Sequence, residues 1–204
     1  MMMYTSQDCD CESQTFTFLD NHDVTRFGFV QRNQRPYNAA LAALLMSRGT
    51  PNLYYGTKQY VLSDDTSDIF VRVFMQTDCS FDVNTTAYKL TAKLSQLRQE
   101  NDAFAFGETN ILYSDTDVMM FERKFYYDVV VVAVNRQPDK STTLPQISTN
   151  LPNGTYGNCL NGLLFGESTN VQGGVKYQLL HWVVAKCVYG TEMQLRQSRL
   201  KLAM

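Results

Sequence analysis

The stretch that most constrains the fold of this 204-residue chain lies in its first sixty residues, where a strand-like run, a polar cluster, a helix and a second short strand follow in order. Thr15-Phe16-Thr17-Phe18-Leu19 is a run of branched and aromatic residues and reads as a strand. It stops abruptly at Asp20-Asn21-His22-Asp23. Residues 36–48 read as a helix: Pro36 suits a first turn, the middle is rich in Ala and Leu, and Gly49 and Pro51 end it. Leu41, Leu44, Leu45 and Arg48 recur at helical spacing and leave one face apolar. Asn52-Leu53-Tyr54-Tyr55 follows as a short strand closed by Gly56. Two strands joined through a helix imply a βαβ unit, with the strands parallel and the crossover right-handed.

Residues 61–84 have no clear periodicity and read as a long excursion, a kind of loop that is often functional. A second helix spans 85–100, with Tyr88, Leu90, Leu94 and Leu97 as its apolar stripe and Asn101-Asp102 as its end. After that the texture changes. Strand-like runs at 109–113, 118–124, 129–135, 155–160, 175–180 and 181–189 alternate with turn signals such as Tyr127-Asp128 and Pro152-Asn153-Gly154. That pattern predicts an antiparallel β-sandwich. The expected division is 1–102 for the α/β part, 103–189 for the sandwich and 190–204 for a tail. Trp182 and most aromatics of the second half are expected in the sandwich core, and His181 as a structural residue of an apolar strand.

Composition excludes some partners. With 18 basic and 20 acidic residues, no basic surplus is available for nucleic acid or an anionic membrane surface. No apolar run approaches the roughly 20 residues of a membrane span. Met1-Met2-Met3-Tyr4-Thr5 has neither the basic nor the apolar segment of a signal peptide, and two glycosylation sequons begin at Asn84 and Asn153. The five cysteines, at 9, 11, 79, 159 and 187, are odd in number, so at least one thiol is free or pairs between chains. Cys9-Asp10-Cys11 is too tight for a zinc knuckle and has no His nearby. The pairing among the others stays open.

Chemistry concentrates in Phe18-Leu19-Asp20-Asn21-His22-Asp23. In parallel α/β barrels, catalytic groups sit at the carboxyl ends of strands. A carboxylate there can stabilise positive charge, and an imidazole beside it can donate to a sugar hydroxyl. The plain alternative is a polar loop with a helix cap, for which Asp and Asn are also suited.

This stretch resembles the fourth conserved region of glycoside hydrolase family 13, the α-amylase family, whose pattern is Phe-x-Asp-Asn-His-Asp after the seventh barrel strand. The resemblance continues in order. Ser47-Arg48-Gly49-Thr50-Pro51-Asn52-Leu53-Tyr54-Tyr55-Gly56-Thr57 is similar to the family's eighth-strand segment, and Thr85-Thr86-Ala87-Tyr88 with residues 94–98 to its last barrel helix. Phe121-Glu122-Arg123-Lys124-Phe125 and residues 129–136 resemble the opening of the β-sandwich called domain C, most of all that of cyclodextrin glucanotransferases and maltogenic amylases.

The resemblance implies the C-terminal piece of a (β/α)8 TIM barrel followed by an antiparallel β-sandwich, in an extracellular enzyme acting on α-1,4-glucans by retaining hydrolysis or transglycosylation. Such enzymes use a nucleophile and an acid/base carboxyl group, with a third carboxylate holding sugar hydroxyls. Asp23 matches that third carboxylate, and His22 the hydroxyl-binding histidine. Asp68 and Arg72 keep the spacing of a substrate-binding pair, although Ile69-Phe70-Val71 between them departs from the family's polar segment. Lys58 stands where most relatives carry Glu. Nothing here matches the nucleophile or the acid/base, which precede this region in the family, so the chain alone is expected to lack starch hydrolysis. Calcium is expected for the full-length family and no cofactor for this chain; α-glucan is the expected partner and oligomeric state stays open. The alternative is a non-catalytic carbohydrate-binding or structural β-sandwich module. Because two strands of a barrel leave open edges and uncovered helices, residues 1–100 are expected to be the less stable part.

Overall fold

The computed structural model describes residues 15–63, 72–137, 142–160, 162–164, 169–171, 175–179 and 183–188, the last three segments by backbone alone. It opens on a parallel pair, β1 (Phe16–Thr17) and β2 (Thr50–Pro51), with Phe16 opposite Thr50 and Thr17 opposite Pro51. Thr50 N–H donates to Thr15 O (2.9 Å) and Asn52 N–H to Thr17 O (2.7 Å). Alternate residues of a parallel strand donate to one neighbour, so the N–H that Pro51 lacks is one β1 does not use. Residues 52–55, expected as the strand, lie just past it: Tyr54 and Tyr55 turn to pack on Arg26, and Gly56, at φ 80°, leads into a 3-10 turn, Thr57–Gln59. These two strands do not close a barrel among the described residues.

Gly49 is needed where β2 begins. Its φ is +87°, and a Cβ there would stand 2.7 Å from Thr15 O. Gly49→Ala is therefore expected to cost about 2 kcal/mol, the sum of left-handed strain and a backbone clash. A urea unfolding midpoint unchanged from the parent would contradict this.

Between the strands lie α1 (Phe27–Val30) and α2 (Gln34–Met46). α2 starts two residues before Pro36 because the Asn33 side chain accepts from Arg35 N–H at 3.0 Å; Pro36 then falls in the first turn, where an N–H is dispensable. The 61–84 stretch contains one helical turn, α3 (Met75–Asp78). α4 (Thr86–Glu100) is capped by Thr85, whose hydroxyl accepts from Tyr88 N–H (3.0 Å) and donates to Lys58 O (2.5 Å). Asn101 ends α4 and caps α5 (Asp102–Phe106) through Ala103 N–H at 2.9 Å, an element the sequence reading took only as a stop.

Two four-stranded sheets follow. β3 (Glu108–Ser114), β4 (Val118–Phe125), β5 (Asp128–Asn135) and β10 (Val183–Val188) pair antiparallel in the order β10-β5-β4-β3. β6 (Thr142–Ile147), β7 (Gly154–Tyr156), β8 (Thr169–Val171) and β9 (Val175–Leu179) form the second sheet in the order β6-β9-β8-β7. β6 escaped the sequence reading because Pro145 interrupts it. The ladder accommodates that proline with a register shift between Thr143 and Gln146. His181 and Trp182 lie outside the described residues.

The run Val129-Val130-Val131-Val132-Ala133 of β5 is buried on both faces. Val130 and Val132, with Phe121, pack against Leu41 and Leu45 of α2, Leu90 and Leu94 of α4 and Phe104 of α5. Val129, Val131 and Ala133 pack with Val118, Met120, Leu144 and Ile147 in a second core toward β6. The first sheet is thus a middle layer, with helices on one side and the second sheet on the other. Side chains of residues 37–104 share one core with those of β4 and β5. The helices do not lack a sheet to cover, and burial of each core leucine contributes roughly 1.5–3 kcal/mol to keeping them there. Among the described residues no helix is long and apolar enough to cross a membrane.

Candidate functional site

Asp20, three residues after β1, is buried among partners. Its Oδ1 accepts from Thr57 Oγ1 (2.9 Å) and its Oδ2 from Phe27 N–H (3.0 Å) at the start of α1. Arg26 Nε lies 3.3 Å from the same Oδ2, and both side chains are sealed from solvent. Arg26 Nη2 donates to Tyr55 O at 2.6 Å, and its guanidinium stacks over Tyr54 (4.5 Å) and Tyr55 (5.6 Å). The ion pair therefore pins both ends of residues 21–25 and ties them to the segment after β2.

His22 and Asp23 stand on the loop so held. Asn21 Oδ1 accepts from Asp23 N–H at 2.7 Å, closing an Asx turn. His22 Nε2 and Asp23 Oδ1 are 3.2 Å apart, and the side chains are 51% and 66% exposed. The plain reading of the motif, a polar loop with a helix cap, thus describes Asp20, which serves the first N–H of α1. Asp23 keeps its carboxylate at the surface beside an imidazole.

Around them, Tyr37 OH donates to Thr57 O at 2.6 Å, so Tyr37 and Asp20 grip the same residue from two sides. Burial, and then the charge of Asp20, pushes the Tyr37 hydroxyl well above the usual phenol range, so it stays a donor. Arg72 is exposed and near enough to Tyr55 for its charge to favour ionisation of that hydroxyl, against the burial that raises it. Asp68 lies outside the described residues. Lys58 places its ammonium 4.9 Å from the centre of the Tyr88 ring, toward α4. A cavity of about 200 Å³ beside α1 is lined by Gly28, Gln31, Arg32, Gln34, Tyr37, Tyr60 and Leu62, and not by His22 or Asp23.

The sequence reading missed Arg26. Its signal was an arginine directly before the apolar Phe27-Gly28-Phe29-Val30, a setting in which a charge needs a partner.

Chemically, a surface carboxylate and an imidazole 3.2 Å apart can hold neighbouring hydroxyls and stabilise developing positive charge. Retaining glycoside hydrolysis needs a further carboxyl pair about 5–5.5 Å apart across the scissile bond, and buried, engaged Asp20 cannot join one. Among the described residues no group of three or more His, Cys, Asp or Glu is placed to hold a metal ion. Cys79 Sγ donates to Met75 O at 3.3 Å, while Cys9 and Cys11 lie outside the described residues.

Comparison with known proteins places this geometry in context. Residues 111–182 match the family model for the α-amylase C-terminal all-β domain. The chain is 42% identical over 158 residues to the cyclomaltodextrin glucanotransferase of Bacillus sp. (strain 17-1), covering 78% of this chain and 22% of that protein. It is 44% identical over 155 residues to the enzyme of the same name from Geobacillus stearothermophilus, covering 76% and 21%. Among solved structures, the γ-cyclodextrin glucanotransferase of alkalophilic Bacillus clarkii superposes with a TM-score of 0.80 at 36% identity, over 88% of this chain and 27% of that one. An Anoxybacillus α-amylase superposes with a TM-score of 0.71 at 21% identity, over 88% and 39%, and shares the fold. The chain spans between a fifth and a quarter of the length of these curated relatives.

Proposed function

The chain belongs to the α-amylase family, glycoside hydrolase family 13, and from that premise we propose that it is the part of an α-1,4-glucan hydrolase or transglycosylase that supplies one wall of the sugar cleft. In this reading β1, β2 and the intervening helices, within residues 1–102, are segments of the catalytic barrel, residues 103–189 are domain C and 190–204 a tail. Asp23 holds sugar hydroxyls and favours the cation-like transition state, His22 donates to a hydroxyl of the same sugar, and Asp68 and Arg72 contact a neighbouring one. The setting is extracellular.

One observation carries the proposal: the His22–Asp23 pair is exposed at the carboxyl end of a parallel strand, on a loop whose ends are fixed by the buried Asp20–Arg26 pair. A flexible polar loop would need no such anchoring, whereas a site that orients hydroxyls does.

Because the nucleophile and acid/base have no counterpart in this chain, a purified folded sample is expected to release no sugar from soluble starch above a blank. Maltoheptaose is expected to bind without turnover, and Asp23→Ala to weaken it about tenfold, the loss of a hydrogen bond to a charged acceptor. Titration calorimetry measures this; equal affinities for parent and variant would remove Asp23 from the site. If binding persists unchanged in both His22→Ala and Asp23→Ala, the second reading, a non-catalytic carbohydrate-binding module, takes its place. The continuous core joining helices and sandwich favours that reading to this extent: the chain has a scaffold of its own.

A further inference from the structure

We propose that the β4–β5 hairpin carries an aromatic platform that binds the apolar faces of α-glucan pyranose rings, apart from the His22–Asp23 loop; this rests on the α-glucan reading above. β4 and β5 are joined by a two-residue turn, since Phe125 pairs with Asp128 and only Tyr126 and Tyr127 lie between. Tyr126 sits at φ +50°. Two-residue hairpins with positive φ select Gly, Asn or Asp, and a bulky residue there is an outlier. The chain nevertheless places two tyrosines at the tip, each 78% exposed, and Phe106 of α5, 67% exposed, stands beside them.

The rings are in contact. Phe106 and Phe125 centroids are 5.6 Å apart and tilted, and Phe125 and Tyr126 are 4.7 Å apart, edge to face. Phe125 is half-buried against the main core, so the row is anchored at its middle and open at both ends. Strain kept at an exposed site points to use there, and a clustered apolar patch of this kind marks a contact surface.

The chemistry of the patch selects the occupant. Aromatic rings offer flat apolar faces, and the tyrosines add hydroxyls at the rim. A pyranose presents the complement, a C–H face edged with hydroxyls. Asp102, four residues before Phe106 on α5, and Asp128, which pairs with Phe125 at the turn's end, put two acidic residues near the patch in the chain. Carboxylates accept from sugar hydroxyls and repel anionic lipid or nucleic acid. A neutral polyol with an apolar face therefore fits better than either.

The test uses the full chain carrying Tyr126→Gly with Tyr127→Asn, which keeps the turn length and puts glycine at the position of positive φ. The thermal midpoint is expected to rise by about 4 °C, while maltoheptaose affinity falls at least tenfold and retardation in a soluble-starch gel is lost. A fall in the midpoint with affinity kept would mean that the tyrosines serve the fold, and would overturn the proposal. If the parent chain binds and only Asp23→Ala weakens it, the α-glucan reading stands and the platform falls; if the parent binds no glucan, both fall together. Sedimentation velocity covers the remaining occupant: a parent that self-associates and a monomeric variant of equal glucan affinity would make this an interface between copies and refute the sugar assignment.

Discussion

Replacing Asp20 by alanine is expected to destabilise the chain by about 3–5 kcal/mol, the usual consequence of leaving one member of a buried ion pair behind. Two donors, Thr57 Oγ1 and Phe27 N–H, lose their acceptor at once, and Arg26 loses its counter-charge. Arg26 suffers most, because it is fully buried and its Nε and Nη1 already have no hydrogen-bond partner. Urea unfolding followed by circular dichroism gives the size of the effect. The double variant Asp20→Ala with Arg26→Met should recover at least half of the loss, since an apolar side chain of similar length can fill the slot over the Tyr54 ring without a charge. Recovery of nothing would mean that Asp20 acts through its backbone-capping bond alone and that the pair does not hold the loop. The same single variant should also weaken maltoheptaose binding as much as Asp23→Ala does, because residues 21–25 lose the anchors that hold His22 and Asp23 side by side. Binding retained in a destabilised variant would separate the loop from the pair.

How much of this was legible in the sequence depends on whether a signal was local. The Phe-Leu-Asp-Asn-His-Asp stretch, α2, α4 and the hairpin of β4 and β5 are written in short-range patterns: alternation, helical spacing, a terminating Gly or Asn. They fell within one or two residues of their observed places. What was not local was lost. β1 is shorter than its hydrophobic run and β2 ends before its own begins, because Tyr54 and Tyr55 are drawn off to Arg26, which precedes Tyr55 by 29 residues in the chain. β6 was hidden by Pro145, whose cost is relieved by an irregular register that no single segment reveals. Within the motif itself, sequence could name four polar residues but not divide their labour. That Asp20 turns inward to a guanidinium while Asp23 stays at the surface follows from the strand's direction and from Tyr54, Tyr55 and Thr57 arriving from β2. Most second-half aromatics are expected in the core; Phe106 at the end of α5 and Tyr126 and Tyr127 at the tip of a turn are exposed instead.

Glu122→Ala is expected to cost about 3 kcal/mol or more, whereas Arg123→Met is expected to leave stability unchanged or raise it by about 1–3 kcal/mol, although both residues are buried charges and adjacent on β4. Successive strand residues point to opposite faces, so these opposite charges cannot pair with each other. Glu122 meets a loop made to receive it: Thr149 Oγ1, Asn150 N–H (2.7 Å) and Asn150 Nδ2 (2.6 Å) all donate to its carboxylate. Its removal strands three donors between the two sheets. Arg123 donates once, from Nη2 to Gly107 O at 2.8 Å, and leaves Nε and Nη1 without partners. Burial first, then the charges of Arg98 and Arg48, press its pKa down to about 10. A cation whose folded pKa is depressed weakens the fold wherever the unfolded chain holds the proton more tightly, and that penalty is complete below the folded value. It is relieved as pH climbs from about 10 toward the ordinary guanidinium range. The advantage of Arg123→Met over the parent should therefore be full at neutral pH and narrow above pH 10, measured as the difference between two urea midpoints. A methionine variant less stable than the parent by as much as Glu122→Ala would mean that the single bond to Gly107 outweighs the buried charge, and that the two neighbours are equivalent after all.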